Sequence, residues 1–285
     1  MFGIIEEPPF GGHVLNAGLA LKPPLQHLQW VGGPRWSRHH DTMSSVSACV
    51  SGDGKVFSIF DEGSTYSPYL PCRWKLIARD AFNGLLLWDR RLDPPPSRID
   101  GSWHGVRGSV LPVASADRFY AVNEGALQAL DAATGETIKV YTAAGRPTQI
   151  LYIDGTLVAC DAETPTVRAI NAESGKLLWS HEAVIPVTSM VAGDGGVYFY
   201  EGGEDFKAGN HLSLRRGLEP AAPRAIVKLD LATGKPVWRV TEADYPWAKN
   251  GRRLSYHRGY LVCELSGHVQ ITGEWNSRGT AIHVI

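Results

Sequence analysis

One short segment recurs four times, and it constrains the fold more than anything else in the chain. The copies are LIARDAFNGLLLW, LQALDAATGETIK, VRAINAESGKLLW and IVKLDLATGKPVW, and their glycines, Gly84, Gly135, Gly175 and Gly234, stand 51, 40 and 59 residues apart. Each copy is an alternating apolar strand ending in Asp80, Asp131, Asn171 or Asp230, whose side chain accepts hydrogen bonds from backbone donors of the turn that follows. Asn83, Thr134, Ser174 or Thr233 then precedes the glycine, which takes the positive φ of a bulged three-to-five-residue hairpin loop. Four residues past the glycine come Trp88, Trp179 and Trp238, with Lys139 in the second copy. A large aromatic at one fixed place in an outer strand covers the seam between neighbouring sheets, burying roughly 200 Å². Three of the four seams are expected to carry that cover.

A second signal precedes each segment. SGDGKVF, ASADRFY, YIDGTLV, AGDGGVY and YHRGYLV read as strand, two-residue turn, strand, and Asp53-Gly54, Asp154-Gly155 and Asp194-Gly195 suit type I′ hairpins. Two hairpins make a four-stranded antiparallel sheet, and its repetition at these periods is the blade of an all-β propeller. About five blades are present. Gly at 31, Pro at 18 and Trp at 9 agree with short strands and tight turns, and argue against a helical bundle.

The turn-plus-tryptophan segment resembles the docking motif of the pyrroloquinoline-quinone (PQQ) repeat family. These are quinoprotein-like propellers, akin to WD40 and YVTN repeats, that include the periplasmic outer-membrane assembly factor BamB. The resemblance runs from about Ser44 to Ile285. The lead-in LQWVGGPRWSRHHD and the first blade's IARDAFNGLLLW are similar, more narrowly, to PQQ-like propellers of planctomycete-type bacteria. Some relatives of that kind join the propeller to further domains. The resemblance implies a bacterial, periplasmic or otherwise extracytoplasmic setting. The family's dehydrogenases hold PQQ over calcium, with a vicinal Cys-Cys disulfide on one ring face, a tryptophan on the other and an Asp base. This chain has no adjacent cysteine pair, and no calcium ligand or base carries over. The repeat register makes Trp88, Trp179 and Trp238 seam packing rather than a cofactor floor. No cofactor is identified.

The domain division expected is a lead-in over 1–43 and a partial propeller over 44–285. Aligning Ile282 to Ile285 with Val167 to Ile170 puts Ile285 just before the expected Asp or Asn, so the last blade reads as incomplete and the chain as a fragment.

The remaining residues bound the chemistry. Lys plus Arg number 28 and Asp plus Glu 29, a net charge of −1, so no overall field favours nucleic acid. No stretch reaches the roughly 18 apolar residues of a membrane span, and the N-terminus does not read as a signal peptide. Cys49, Cys160 and Cys263 lie in strand-like runs and read as core, while Cys72 falls in a loop. Two polar clusters are candidate ligand-facing groups. His39, His40 and Asp41 follow Arg35 and Arg38 in the lead-in, where Trp30 and Trp36 are expected to plug against the blades. Trp103, His104 and Arg107 lie in the link between blades one and two, where an aromatic, an imidazole and a guanidinium suit an anionic or sugar ligand. Loop packing is the favoured reading of both. The excursion over 201–224 and the Pro94 to Pro96 connector read as surface. The functional expectation is a non-catalytic binding or assembly scaffold for a protein, small-molecule or carbohydrate partner. The alternative is a piece of a PQQ-dependent dehydrogenase whose cofactor residues lie outside this chain.

Overall fold

The computed structural model describes residue 30 and residues 46–62, 73–93, 110–161, 164–184, 187–201, 225–245, 251–271 and 274–284. The chain divides into two compact units, Met1–Lys139 and Val140–Ile285.

In the first unit, β1 (Val46–Gly52), β2 (Lys55–Asp61), β3 (Trp74–Asp80) and β4 (Leu86–Arg91) form an antiparallel sheet in chain order. A second sheet is ordered β5 (Val113–Ala114), β6 (Arg118–Asn123), β7 (Ala126–Asp131) and β8 (Thr137–Tyr141), with the unit boundary passing through β8. The second unit holds a sheet of β9 (Pro147–Ile153), β10 (Thr156–Asp161), β11 (Thr166–Asn171) and β12 (Leu177–Glu182). It also holds one of β13 (Val187–Gly193), β14 (Gly196–Glu201), β15 (Ala225–Asp230) and β16 (Pro236–Thr241). The fifth sheet has three strands, β17 (Gly251–His257), β18 (Tyr260–Ile271) and β19 (Glu274–Val284). The sheets are propeller blades: four are complete and the fifth is not.

Turn chemistry sets the register. Asp53 and Gly54, Asp154 and Gly155, and Asp194 and Gly195 all have positive φ, as a type I′ hairpin requires, and Arg258-Gly259 closes the β17–β18 hairpin in the same conformation. Each pairing then continues in register from the turn, as in Gly52↔Lys55 and Ser51↔Val56. A one-residue slip would carry every core side chain to the opposite face.

The cores form between sheets. In the first unit Phe57 stacks on Phe119 with centroids 4.6 Å apart, and Trp88 closes on both at 6.0 Å. Leu76, Ala78 and Leu130 complete that cluster. In the second unit Val158, Val167, Val197, Phe199 and Val227 pack around Trp179. Each such large side chain contributes roughly 1.5–3 kcal/mol by leaving water. Cys160 and Cys263 are buried within these layers, but Cys49 is exposed. It follows buried Ala48 in β1, and neighbouring strand residues point to opposite faces, so only one of the pair enters the core. Cys72 lies outside the described residues.

Candidate functional site

Antiparallel order gives each sheet two unlike ends. The first-to-second and third-to-fourth strand connections share one end, which is all tight turns. The second-to-third connection and the exit from the fourth strand share the other.

At the tight end each Asx closes its turn. The Asp80 carboxylate accepts from Phe82 and Asn83 N–H at 2.9 Å, and that of Asp131 from Ala133 and Thr134 at 2.9 and 2.8 Å. Asn171 accepts from Ser174 N–H at 2.7 Å, and Asp230 from both the N–H and the hydroxyl of Thr233. The Thr134 and Thr233 hydrogen bonds hold the Asp131 and Asp230 carboxyls below the usual aspartate range. With the turn fixed, the carbonyl one residue after the Asx and the face of the glycine become a socket. Trp88 Nε1 donates to Ala132 O at 3.1 Å, and a Cβ added at Gly135 would lie 2.5 Å from its ring. Trp179 repeats this on Leu231 O at 2.7 Å and Gly234, with the same 2.5 Å approach. Only glycine lets an indole lie this close to backbone.

The aim of the indole comes from a bulge. Register shifts at Ala78/Arg79, Ala169/Ile170 and Lys228/Leu229 leave Leu87, Leu178 and Val237 as extra residues in their strands. An extra residue turns the next side chain to the other face. Leu87, Leu178 and Val237 therefore stay exposed, while Trp88 and Trp179 are buried and Trp238 is half-buried.

Two further plugs do not follow the tryptophan spacing. Trp30 donates from Nε1 to Ala81 O at 3.0 Å and lies over Gly84 with the same 2.5 Å approach. The second copy has Lys139 at the plug position, but Tyr141, two residues on and buried, donates its phenol to Ala172 O at 2.6 Å. A hydroxyl on a six-membered ring reaches the carbonyl that the indole N–H reaches elsewhere.

Trp238 differs. It is half-buried and tilts against Tyr198 of its own sheet at 6.0 Å, with no hydrogen-bond partner for its indole N–H among the described residues. The contact to the fifth sheet runs the opposite way. Tyr256 of β17 stacks on Tyr198 at 5.2 Å, packs against Gly193, and donates its phenol to Asp194. That bond to a carboxylate pushes the Tyr256 phenol up to about 12.

At the other end, an acid or amide closes the second strand of all four complete sheets: Asp61, Asn123, Asp161 and Glu201, of which all but half-buried Asp161 are buried. Asp61 accepts from Arg73 N–H across its connection at 2.7 Å. Asn123 accepts from Asp93 N–H at 2.8 Å and donates to Arg91 O, holding the exit from β4. Asp161 pairs with Arg168 at 2.5 Å. Glu201 accepts from Val184 N–H at 3.0 Å and pairs with Arg239 at 2.8 Å, so one carboxylate joins the exit from β12 to the outer strand β16. Burial beside it holds the His181 imidazole below its ordinary value, against the opposing pull of Glu201 and Glu182. The sequence signal was present: each of these residues is the polar close of an apolar run, VFSIFD, RFYAVN, TLVACD and GVYFYE, six or seven residues into the strand.

The long connections leave from this end: Asp61 to Trp74, Arg91 to Val113, Glu201 to Ala225 and Thr241 to Gly251. Trp103, His104 and Arg107 belong to the second of these and, like His39, His40 and Asp41 before β1, lie outside the described residues. Trp36, Pro94 to Pro96 and residues 202–224 also lie outside them. The carboxylates of Asp61, Asp161 and Glu201 accept hydrogen bonds from backbone N–H groups and guanidinium. No group of three or more His, Cys, Asp or Glu residues suited to a metal ion occurs among the described residues. No helix among them is long and apolar enough to cross a membrane.

The sequence matches the family model described as outer membrane protein assembly factor BamB over residues 73–210 and 166–270, together more than half of the chain. No curated protein matches. Among solved structures, hydrazine synthase of Kuenenia stuttgartiensis is similar at 11% identity and a TM-score of 0.52, over 90% of this chain and 65% of that one. BamB from Moraxella catarrhalis is similar at 14% identity and 0.44, over 82% and 62%. Quinohemoprotein alcohol dehydrogenase from Comamonas testosteroni is similar at 18% and 0.47, over 83% and 40%. The chain thus spans less than two thirds of each of these structures, and at such identities the likeness is one of fold.

Proposed function

Since the chain belongs to the BamB-like family of PQQ-repeat propellers, we propose that it is a non-catalytic binding or assembly platform. Within each compact unit the working surface is the strand end from which the long connections leave. The observation that supports this reading is the pinning of those connections at their roots. Asn123 holds the exit from β4, Asp61 spans the β2–β3 connection, and Glu201 stands where the excursion over 202–224 begins. Loops positioned by a rigid scaffold commonly carry recognition surfaces. The carboxylates of Asp61, Asp161 and Glu201 are engaged by backbone N–H groups and guanidinium, which supports a structural part for them.

The partner is a protein or carbohydrate met outside the cytoplasm, in keeping with the family. Titration of the purified chain with PQQ and calcium tests the reading. No change in quinone absorbance and no dye-reducing activity are expected. A saturable spectral shift with dye reduction would replace the platform by an oxidoreductase.

A further inference from the structure

The four repeated turns serve as controls for one another. In the Asx-x-x-x-Gly turns, the residue two after the Asx and the residue after the glycine are Ala133 and Glu136 in the second turn, Glu173 and Lys176 in the third, and Ala232 and Lys235 in the fourth, all exposed. The first turn carries Phe82 and Leu85 there, 73% and 65% exposed. Since small or charged residues serve the same fold three times over, turn geometry does not account for these two. They join Leu86 and Leu87, 51% and 41% exposed, which are the outward residues that the bulge produces. The result is a group of four exposed apolar side chains at the start of β4, the outer strand of its sheet, which pairs with no further strand among the described residues. Large apolar edges are ordinarily blunted by charge.

The other end of β4 is also unlike its counterparts. Three residues past the plug tryptophan stands Arg91, where β12 and β16 have Glu182 and Thr241. Arg91 is exposed and has no ion-pair partner among the described residues, whereas Arg90 is engaged with Gly135 O and Thr137 and Asp89 with Lys75. The edge is therefore apolar at one end and basic at the other.

We propose that the outer edge of β4 is a docking strip for an extended peptide that adds antiparallel to it, acidic at its N-terminal end opposite Arg91 and apolar opposite Leu85 to Leu87. An edge strand offers backbone donors and acceptors for such addition, and the side chains supply selectivity. The size of the strip selects the occupant. Its apolar surface is roughly 400 Å², short of the roughly 800 Å² per partner of a stable dimer, and ample for one short strand. The apolar part of the strip lies at the tight-turn end and only Arg91 reaches the exit from β4, so the proposal does not depend on the platform reading.

The test uses the full chain and a fluorescein-labelled peptide, Asp-Glu-Thr-Val-Thr-Val-Leu, followed by anisotropy. Saturable binding is expected. Phe82→Ala with Leu85→Lys, the residues that the fourth turn already carries, should weaken it by about tenfold with thermal melting unchanged. Arg91→Glu should weaken this peptide and favour one beginning Lys-Lys. Equal binding by wild type and both variants, or no saturation at millimolar peptide, overturns the proposal. So does a dimer by sedimentation that the double variant abolishes, which would make a second copy the occupant. Binding that appears only after removal of residues 1–29 would assign the strip to this chain's own N-terminal segment and equally overturn it.

Discussion

Trp179 and Trp238 occupy the same place in consecutive outer strands, each four residues past a glycine and each following a bulge residue. One indole is buried, bonded to Leu231 O and pressed on Gly234, while the other is half-buried and leans back on Tyr198. The difference lies in what faces them. Trp179 meets an Asx-x-x-x-Gly turn, whereas no such turn is among the described residues of the fifth sheet, where Tyr256 reaches backward onto Gly193 and Asp194 instead. A plug residue is thus a seam only when its socket is present, and the socket is made of backbone.

The largest effect expected is at the socket. Gly234→Ala should cost about 3 kcal/mol or more, from the strained positive φ plus collision with the Trp179 ring. Gly195→Ala, at positive φ with nothing within 4 Å, should cost only about 1 kcal/mol. Denaturant unfolding of both variants measures the gap, and equal losses would mean the indole contact contributes nothing. The plug matches its socket in size: Trp179→Ala should lose about 3–5 kcal/mol, and Trp238→Ala clearly less, by the same measurement.

At the opposite strand end, Glu201→Ala leaves Val184 N–H and Arg239 without their acceptor. A loss of about 2 kcal/mol is expected, held down by the partial exposure of Arg239. Arg239→Leu made together with Glu201→Leu should recover part of it. The backward latch is read by titration. In wild type the Tyr256 phenol ionises near about 12, and Asp194→Asn should return it toward 10, seen as an earlier rise in phenolate absorbance.

The smallest effect is acid sensitivity. Asp131 and Asp230 are depressed in the folded chain, so their contribution is full above the unfolded aspartate value near 4 and fades as pH falls through the lower folded values. Asp131→Asn and Asp230→Asn copy the third turn's Asn171, which does not titrate, and should flatten the acid limb of stability against pH. An unchanged limb would show that other carboxylates set it.

Much of this was legible along the chain. The Asx, the glycine and the type I′ dipeptides act within a few residues, and their chemistry is the same wherever the strand lies. Tyr141 escaped because spacing points to Lys139, whereas reach in space depends on where a longer polar ring can place its hydroxyl. Asp61, Asn123, Asp161 and Glu201 read as strand ends, and their partners, Arg73, Asp93, Arg168 and Val184, are chosen by which connection the fold brings past them. Cys49 read as core because a strand's apolar run does not state which of its two faces is covered.

The sequence by itself determined the blade: four strands, their turns and their register, because those rest on φ preferences and side-chain bonds to nearby backbone. Only the tertiary structure decided which plug meets which socket, because a socket is one sheet's carbonyl and glycine face offered to a side chain from another segment. It also decided that the excess apolar edge belongs to β4. Four turns equal in geometry had to be compared by exposure before Phe82 and Leu85 stood apart.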